Sequence, residues 1–316
     1  MNSSDKSLLI EERIDLLYKR LLQCDLCPRN CKVNRLRGEK GYCAMAEDLV
    51  VYTAFLHSGE EPGISGGRGS GTIFFSGCNL KCAYCQNYKF SHNLQGRTIS
   101  IEGLAKIMLN LQKEGAQNIN LVTPTHFLPQ ILKSIALGLK QGLKMPIVYN
   151  TSGYEKKEII AQLEDIVDIY LTDMRYISAA LAQKYSNASN YPLFCQEAIL
   201  EMYRQVKEPI WDKEKLKKGL IVRQLVLPGH LKESKAIISW ISENLPRALA
   251  SIMFQYQPYF KANLYPEINH PLNHAEYAQI REFIEELGLE GWLQDFRPQE
   301  TLAGSYFTPE DLAKYL

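Results

Sequence analysis

The chain has 316 residues, with 36 basic against 35 acidic side chains and a formal charge of +1. At that length folding buries roughly 75% of the surface the unfolded chain exposes, so a substantial core is available, while the balanced charge provides no long-range field to gather a polyanion and so no nucleic-acid signal. No apolar run approaches the roughly 20 residues needed to cross a bilayer, and the opening MNSSDKSLLIEERIDLLYKR lacks the apolar core of a signal peptide, which predicts a cytoplasmic protein without membrane contact.

Taken along the chain, Leu8, Leu9, Ile14, Leu16, Leu17, Leu21 and Leu22 trace roughly one helical face and predict a docking helix. Next comes CDLCPRNCKVNRLRGEKGYC, which places Cys24, Cys27, Cys31 and Cys43 at the spacing C-x2-C-x3-C-x11-C. Seven of the eight cysteines fall within residues 24–85, a clustering that favours metal over a disulfide scaffold. Four thiolates at this spacing suit either a structural zinc or an auxiliary 4Fe-4S cluster, and Arg29, Lys32, Arg35, Arg37 and Lys40 would offset their charge. Residues 59–71 carry glycine at 59, 63, 66, 67, 69 and 71 and read as loop; they lack the Gly-Lys-Ser/Thr ending of a nucleotide phosphate loop. The predicted division is therefore an N-terminal helix, cysteine-rich region and glycine-rich linker over 1–71, then a larger unit over 72–316.

From Thr72 the pattern alternates strand and helix. TIFFSG precedes a helix with Ile101, Leu104, Ile107, Met108 and Leu111, capped by Ser100 and stopped at Gly115. NINLVTP precedes a helix with Leu128, Ile131, Leu132, Ile135 and Leu139; PIVYNTSG precedes EKKEIIAQLEDI; VDIYLTD precedes helices near 177–187 and 192–207. GLIVRQLVLPG and SIMFQYQP, each with its helix, make the fifth and sixth units, and no seventh or eighth is obvious. Such alternation predicts a mostly parallel sheet with right-handed crossovers. Polar residues gather at the carboxyl ends of its strands, the edge where such folds bind ligands: Thr123, Thr125 and His126; Asn150, Thr151 and Ser152; Asp173 and Arg175; His230; Gln255 and Gln257. Cys195 reads as a buried packing residue, His270 and His274 as surface histidines, and Trp292 and Phe296 as closing the open barrel end.

After the first of these strands, SGCNLKCAYCQN gives C-x3-C-x2-C, with Cys78, Cys82 and Cys85 on one short loop able to surround a single cubane. A structural zinc would want a fourth protein ligand, and none lies within a few residues, His92 being seven beyond Cys85. A cubane held by three cysteines keeps one iron open, as chemistry requires. A zinc completed from elsewhere, or plain thiols, are the alternatives.

With Tyr84 ahead of the last cysteine, this segment resembles the cluster motif of the radical S-adenosylmethionine (SAM) superfamily. Residues 72 to about 260 resemble the pyruvate formate-lyase activating enzymes and their uncharacterised homologues. The resemblance implies an α/β fold, a partial (β/α)6 barrel with a cysteine-rich N-terminal extension. It implies SAM on the open iron of a 4Fe-4S cluster, reductive cleavage to a 5'-deoxyadenosyl radical, and hydrogen abstraction from a substrate, in activating enzymes a protein. It also implies flavodoxin or ferredoxin as electron donor. Carried over residue by residue, Tyr84 joins the SAM site, and Thr123 and Thr125 stand where the family's Gly-Gly-Glu holds the SAM amino group. Asn150, Ser152 and Gly153 resemble the third-strand segment near the methionine and ribose. Asp173 and Arg175 resemble an Asp-x-Lys pair, and Arg223, with Pro228 and Gly229 after it, matches a family arginine. The family's histidine after the sixth strand has no equivalent in QYQPYF, so the substrate side differs, and the N-terminal cysteines precede the radical motif instead of following it. The opposing reading is a non-catalytic iron-sulfur or zinc protein that carries electrons or scaffolds a partner.

Overall fold

The computed structural model describes residues 3–294, 296 and 304–316. In chain order its elements are α1 (Ser3–Lys19), β1 (Val50–His57), α2 (Pro62–Ser65), β2 (Ser70–Phe75), α3 (Tyr88–Ser91), β3 (Arg97–Thr98), α4 (Ile101–Lys113), β4 (Ile119–Val122), α5 (Leu128–Lys140), β5 (Ile147–Thr151), α6 (Lys157–Ile160), β6 (Ile169–Asp173), α7 (Ala179–Ser186), α8 (Tyr191–Val206), β7 (Ile210–Asp212), β8 (Lys215–Leu225), α9 (Leu231–Asn244), β9 (Leu249–Met253), α10 (His274–Leu287), β10 (Gly291–Leu293) and α11 (Glu310–Ala313). The strands β2, β4, β5, β6, β8, β9 and β10 run parallel in that spatial order. β1 adds antiparallel to the outer edge of β2, β3 pairs with β1, and β7 folds back on β8 as a hairpin. The result is the expected partial barrel of α/β units.

The parallel strands are buried along nearly their whole length because helices cover one face and the barrel interior the other. α4 shows how the local sequence sets an element: Ser100 caps it by accepting from the Gly103 N–H at 3.0 Å, and Leu104, Ile107, Met108 and Leu111 bury one stripe. α1 lies against α5. Of its predicted face, Ile14, Leu17 and Leu21 are buried, whereas Leu8, Leu16 and Leu22 face outward.

Three expectations are corrected. A short seventh parallel strand exists, β10, which pairs with β9. Glycine permits it, since a Cβ on Gly291 would stand 1.9 Å from the Ala250 carbonyl oxygen. Trp292 lies in that strand, while Phe296 packs on the rings of His274 and Tyr277 at 4.8 and 5.0 Å instead of closing the barrel end. Finally, the glycine-rich stretch is not loop throughout, because it contains α2. Ile64 of α2 packs with Val148, Ile169, Leu171, Ile221 and Leu249, so this segment forms the floor at the strands' amino ends. A Cβ on Gly63 would press on the Trp211 ring at 3.0 Å. Among the described residues no helix is long and apolar enough to cross a membrane.

Candidate active site

Beyond β2 the chain turns at Gly77, φ +83°, and presents Cys78, Cys82 and Cys85 on the loop leading to α3. Cys82 is buried and the other two half-buried. Donors converge on the sulfurs. The N–H groups of Leu80 and Lys81 donate to Cys78 Sγ at 3.3 and 3.5 Å, the Ser186 hydroxyl donates to Cys82 Sγ at 3.1 Å, and the Ser91 hydroxyl lies 3.3 Å from Cys85 Sγ. Burial raises the Cys78 thiol and, with the neighbouring Cys82, pushes Cys85 up to about 12, so these thiols keep their protons until a cation displaces them. Tyr84 accepts from the Tyr176 hydroxyl at 2.8 Å, and Tyr176 lies 2.9 Å from Ser186 Oγ, so a run of hydroxyls leads from Tyr84 to Cys82.

The residues present fit a cubane: three thiols on one loop, each sulfur facing a donor suited to a thiolate. Among the described residues no three Cys, His, Asp or Glu side chains are grouped closely enough to ligate a single metal ion. A cubane is wider than one ion and takes its thiolates farther apart.

A cavity of about 460 Å³ opens beside this loop. Its lining brings together Tyr84, Thr123, Asn150, Ser152, Asp173, Arg175 and Arg223 with the three cysteines, but neither Gly153 nor Thr125. Thr125 is buried on the helix-covered side, where its hydroxyl donates to Glu155 Oε1 at 2.5 Å. The cause is Thr123, held at φ +59° with its N–H on the Asn150 carbonyl at 2.9 Å, which turns the chain away from the cavity. A β-branched residue rarely adopts that conformation, and it stands where the family places glycine.

The β5 and β6 loops are locked together. Gly153, φ +78°, lets them approach, since a Cβ would lie 2.4 Å from the Asp173 carbonyl oxygen. The Tyr191 hydroxyl donates to the Ser152 carbonyl at 2.8 Å and accepts from the Arg175 N–H at 2.9 Å, with the buried Cys195 packed beside it. Asp173 pairs with Arg175 at 2.5 Å, yet the Arg175 Nε is a buried donor without an acceptor. Arg223 Nε and Nη2 are committed to Glu61 at 2.6 Å each, and Nη2 also to Glu60, which leaves Nη1 outside these ion pairs. Ser251 donates to Glu61 and Asn120 to Glu60, both at 2.9 Å. Burial alone would raise the Glu61 carboxyl, but the Arg223 guanidinium holds it below its ordinary value. Sequence reasoning missed Glu60 and Glu61; two adjacent acids inside a glycine-rich run were the available signal.

The N-terminal cysteines sit directly against these loops. Cys24 and Cys43 are buried, Cys27 and Cys31 half-buried, and the Tyr42 N–H donates to Cys31 Sγ at 3.2 Å. A Cβ on Gly77 would lie 2.8 Å from the Cys43 carbonyl oxygen. Arg29 reaches across to the carbonyls of Asn79, Leu80 and Ser186 at 2.8, 3.3 and 2.9 Å, with Tyr42 beneath its guanidinium at 3.7 Å. Lys156, beyond β5, donates to Asn30 Oδ1 at 2.7 Å.

The profile of the Radical SAM superfamily matches residues 72–191. An uncharacterized protein of Methanocaldococcus jannaschii, MJ0674, is 32% identical over 295 residues, which span 90% of this chain and 81% of that protein. A second from the same organism, MJ0808, is 21% identical over 292 residues, 84% of this chain and 80% of that protein. Among solved structures, Streptococcus suis SuiB bound to S-adenosylmethionine aligns with 13% identity and a TM-score of 0.49 over 74% of this chain and 52% of SuiB, so the match spans about half of SuiB. A domain of pyruvate-formate lyase-activating enzyme from Bacteroides vulgatus aligns with 13% identity and a TM-score of 0.34, over 49% of this chain and 84% of the domain.

Proposed function

The chain belongs to the radical SAM superfamily, and on that premise we propose that Cys78, Cys82 and Cys85 hold its 4Fe-4S cluster and that the adjoining cavity takes SAM together with the reacting part of a substrate. Membership implies a radical enzyme that uses both cofactors. When bound, the cluster supplies the electron that splits the SAM sulfonium, giving a radical that takes a hydrogen atom from the substrate. The chain's own residues have separate tasks. Ser186 and the N–H groups of Leu80 and Lys81 stabilise thiolate charge. Asp173 fixes the Arg175 guanidinium, whose unpartnered Nε would be available to hold the SAM carboxylate. Thr123, Asn150 and Ser152, at the strand ends lining the cavity, would hold the rest of the cofactor, and Tyr84 would stand beside the cluster.

The observation that carries this reading is one cavity shared by three cysteines and an orphaned arginine donor. The finer reading is that the substrate is a protein or peptide segment, as for the activating enzymes whose motif this chain resembles, and that flavodoxin or ferredoxin delivers the electron. The test is deoxyadenosine formation by anaerobically reconstituted protein with dithionite and SAM, wild type against Cys82→Ala. Formation by wild type alone supports the proposal. No deoxyadenosine from fully clustered, reduced wild type, with or without a peptide substrate, overturns it in favour of a carrier or scaffold.

A further inference from the structure

On the assignment of a 4Fe-4S cluster to Cys78, Cys82 and Cys85, we infer that Arg29 is a positioning residue for that cluster. Acting through backbone carbonyls, it turns two peptide N–H groups onto Cys78 Sγ and holds the Ser186 hydroxyl on Cys82 Sγ. Arg29 stands between Cys27 and Cys31 in a tight loop, closed by the Cys24 N–H on the Val33 carbonyl at 2.8 Å and the Lys32 N–H on the Cys24 carbonyl at 2.9 Å. Its guanidinium leaves this loop and donates to four carbonyls. Nε reaches Asn79 at 2.8 Å, Nη2 reaches Leu80 at 3.3 Å and Ser186 at 2.9 Å, and Nη1 reaches Asn187. The Tyr42 ring supports it from beneath at 3.7 Å.

A trans peptide unit is planar, and its C=O and N–H point in opposite directions. The Asn79 carbonyl and the Leu80 N–H belong to one such unit; the carbonyl lies on Arg29, and the N–H lies 3.3 Å from Cys78 Sγ. The next unit repeats the arrangement, with the Leu80 carbonyl on Arg29 and the Lys81 N–H 3.5 Å from the same sulfur. Lys81 is left-handed, at φ +55°, and such a residue lets successive N–H groups form a concave nest for an anion. A guanidinium that fixes both carbonyls therefore fixes both donors to the sulfur. Its remaining bonds end on the last turn of α7. There the Ser186 hydroxyl donates to Cys82 Sγ at 3.1 Å, and the neighbouring Tyr185 carbonyl accepts from the Ala83 N–H at 2.8 Å. Four acceptors at once require the planar fork of arginine, which a lysine ammonium does not reproduce. Hydrogen bonds to the sulfurs help set a cluster's potential, and donors aimed at thiolates favour the added electron of the reduced state.

The test uses the full chain, anaerobically reconstituted, and follows by electron paramagnetic resonance the reduced-cluster signal that changes on adding SAM and is missing from Cys82→Ala. Redox titration of that signal should place the midpoint of Arg29→Ala at more negative potential than wild type. Arg29→Lys keeps the charge without the fork and should retain most of that shift. Arg37→Ala removes an exposed charge from the same segment and should leave the midpoint where it is. A wild-type midpoint in Arg29→Ala overturns the inference, and so does an equal shift in Arg37→Ala; a wild-type midpoint in Arg29→Lys overturns it in favour of charge alone. Should Arg29→Ala not fold, Arg29→Lys decides on the same criterion, and failure of both to fold overturns the inference in favour of a purely structural role. Absence of any SAM-responsive signal from wild type refutes the cluster assignment itself, whereas a wild-type midpoint in Arg29→Ala leaves that assignment standing and refutes the positioning role.

Discussion

Replacing Arg223 by Met tests whether the barrel floor is held by charge. Arg223 is 14% exposed and its partners Glu60 and Glu61 are 6% and 0% exposed, so the substitution strands two buried carboxylates. Removing one partner of a buried pair costs about 3–5 kcal/mol. At roughly 2 °C per kcal/mol for a chain of this size, the melting point should fall by about 6–10 °C. The deficit should depend on pH. In wild type Glu61 is held below its ordinary value of 4.5, so the pair contributes stability above that pH and loses it as pH falls through the folded value. Without Arg223 burial raises the Glu61 carboxyl, and the variant loses stability as pH rises; the gap should widen from pH 4 to pH 8. Scanning calorimetry on wild type, Arg223→Met and Arg223→Met with Glu60→Gln and Glu61→Gln gives the answer, because removing all three charges should recover most of the loss. A single variant melting within about 2 °C of wild type, or a triple variant no better than the single, would refute the reasoning. SAM affinity of the reconstituted triple variant then separates a floor anchor, which leaves it unchanged, from the cofactor contact that sequence suggested.

Glu155 is buried and pushed up to about 7 although Thr125 and Thr151 donate to it, so the fold favours its neutral form. The stability linked to that carboxyl is complete below 4.5 and is lost as pH rises to about 7, a span worth about 3 kcal/mol. Glu155→Gln should therefore match wild type near pH 4.5 and exceed it by up to about 3 kcal/mol at pH 8 in urea melts; parallel pH slopes would oppose this. Ser186→Ala removes the donor to Cys82 Sγ and should lower the midpoint potential of the cluster on that loop by on the order of 40 mV, taking about 1 kcal/mol for a one-electron couple, as read by redox titration. Gly77→Ala puts a Cβ 2.8 Å from both the Cys43 carbonyl oxygen and Met45 Cγ at φ +83°. It should cost at least about 1–2 kcal/mol and lower iron content, whereas Gly67→Ala, with nothing within 4 Å, should do neither.

What sequence revealed and what it hid divides along chain distance. The six strands were legible because each is a short apolar run ended by proline, glycine or polar residues, and the three-cysteine loop because its chemistry lies within eight residues. β1 could have been read from VVYTAFLH, a run of β-branched and aromatic residues. β10 could not, since three residues starting at glycine become a strand only where the edge of β9 receives them. Thr123 and Thr125 look interchangeable in LVTPTHF, and only the left-handed turn at Thr123 sends one to the cavity and the other to Glu155. Likewise Arg35 and Arg37 differ by nothing local, yet one is sealed and the other solvated. The hidden partners share an origin. Glu60 and Glu61 compensate Arg223 at a separation of 163 and 162 residues, and Arg29 grips Asn79 and Leu80 at 50 and 51. A segment whose composition reads as extension and linker thus supplies both the charges under the barrel and the brace on the cysteine loop, and those duties are invisible until the strands it serves are assembled.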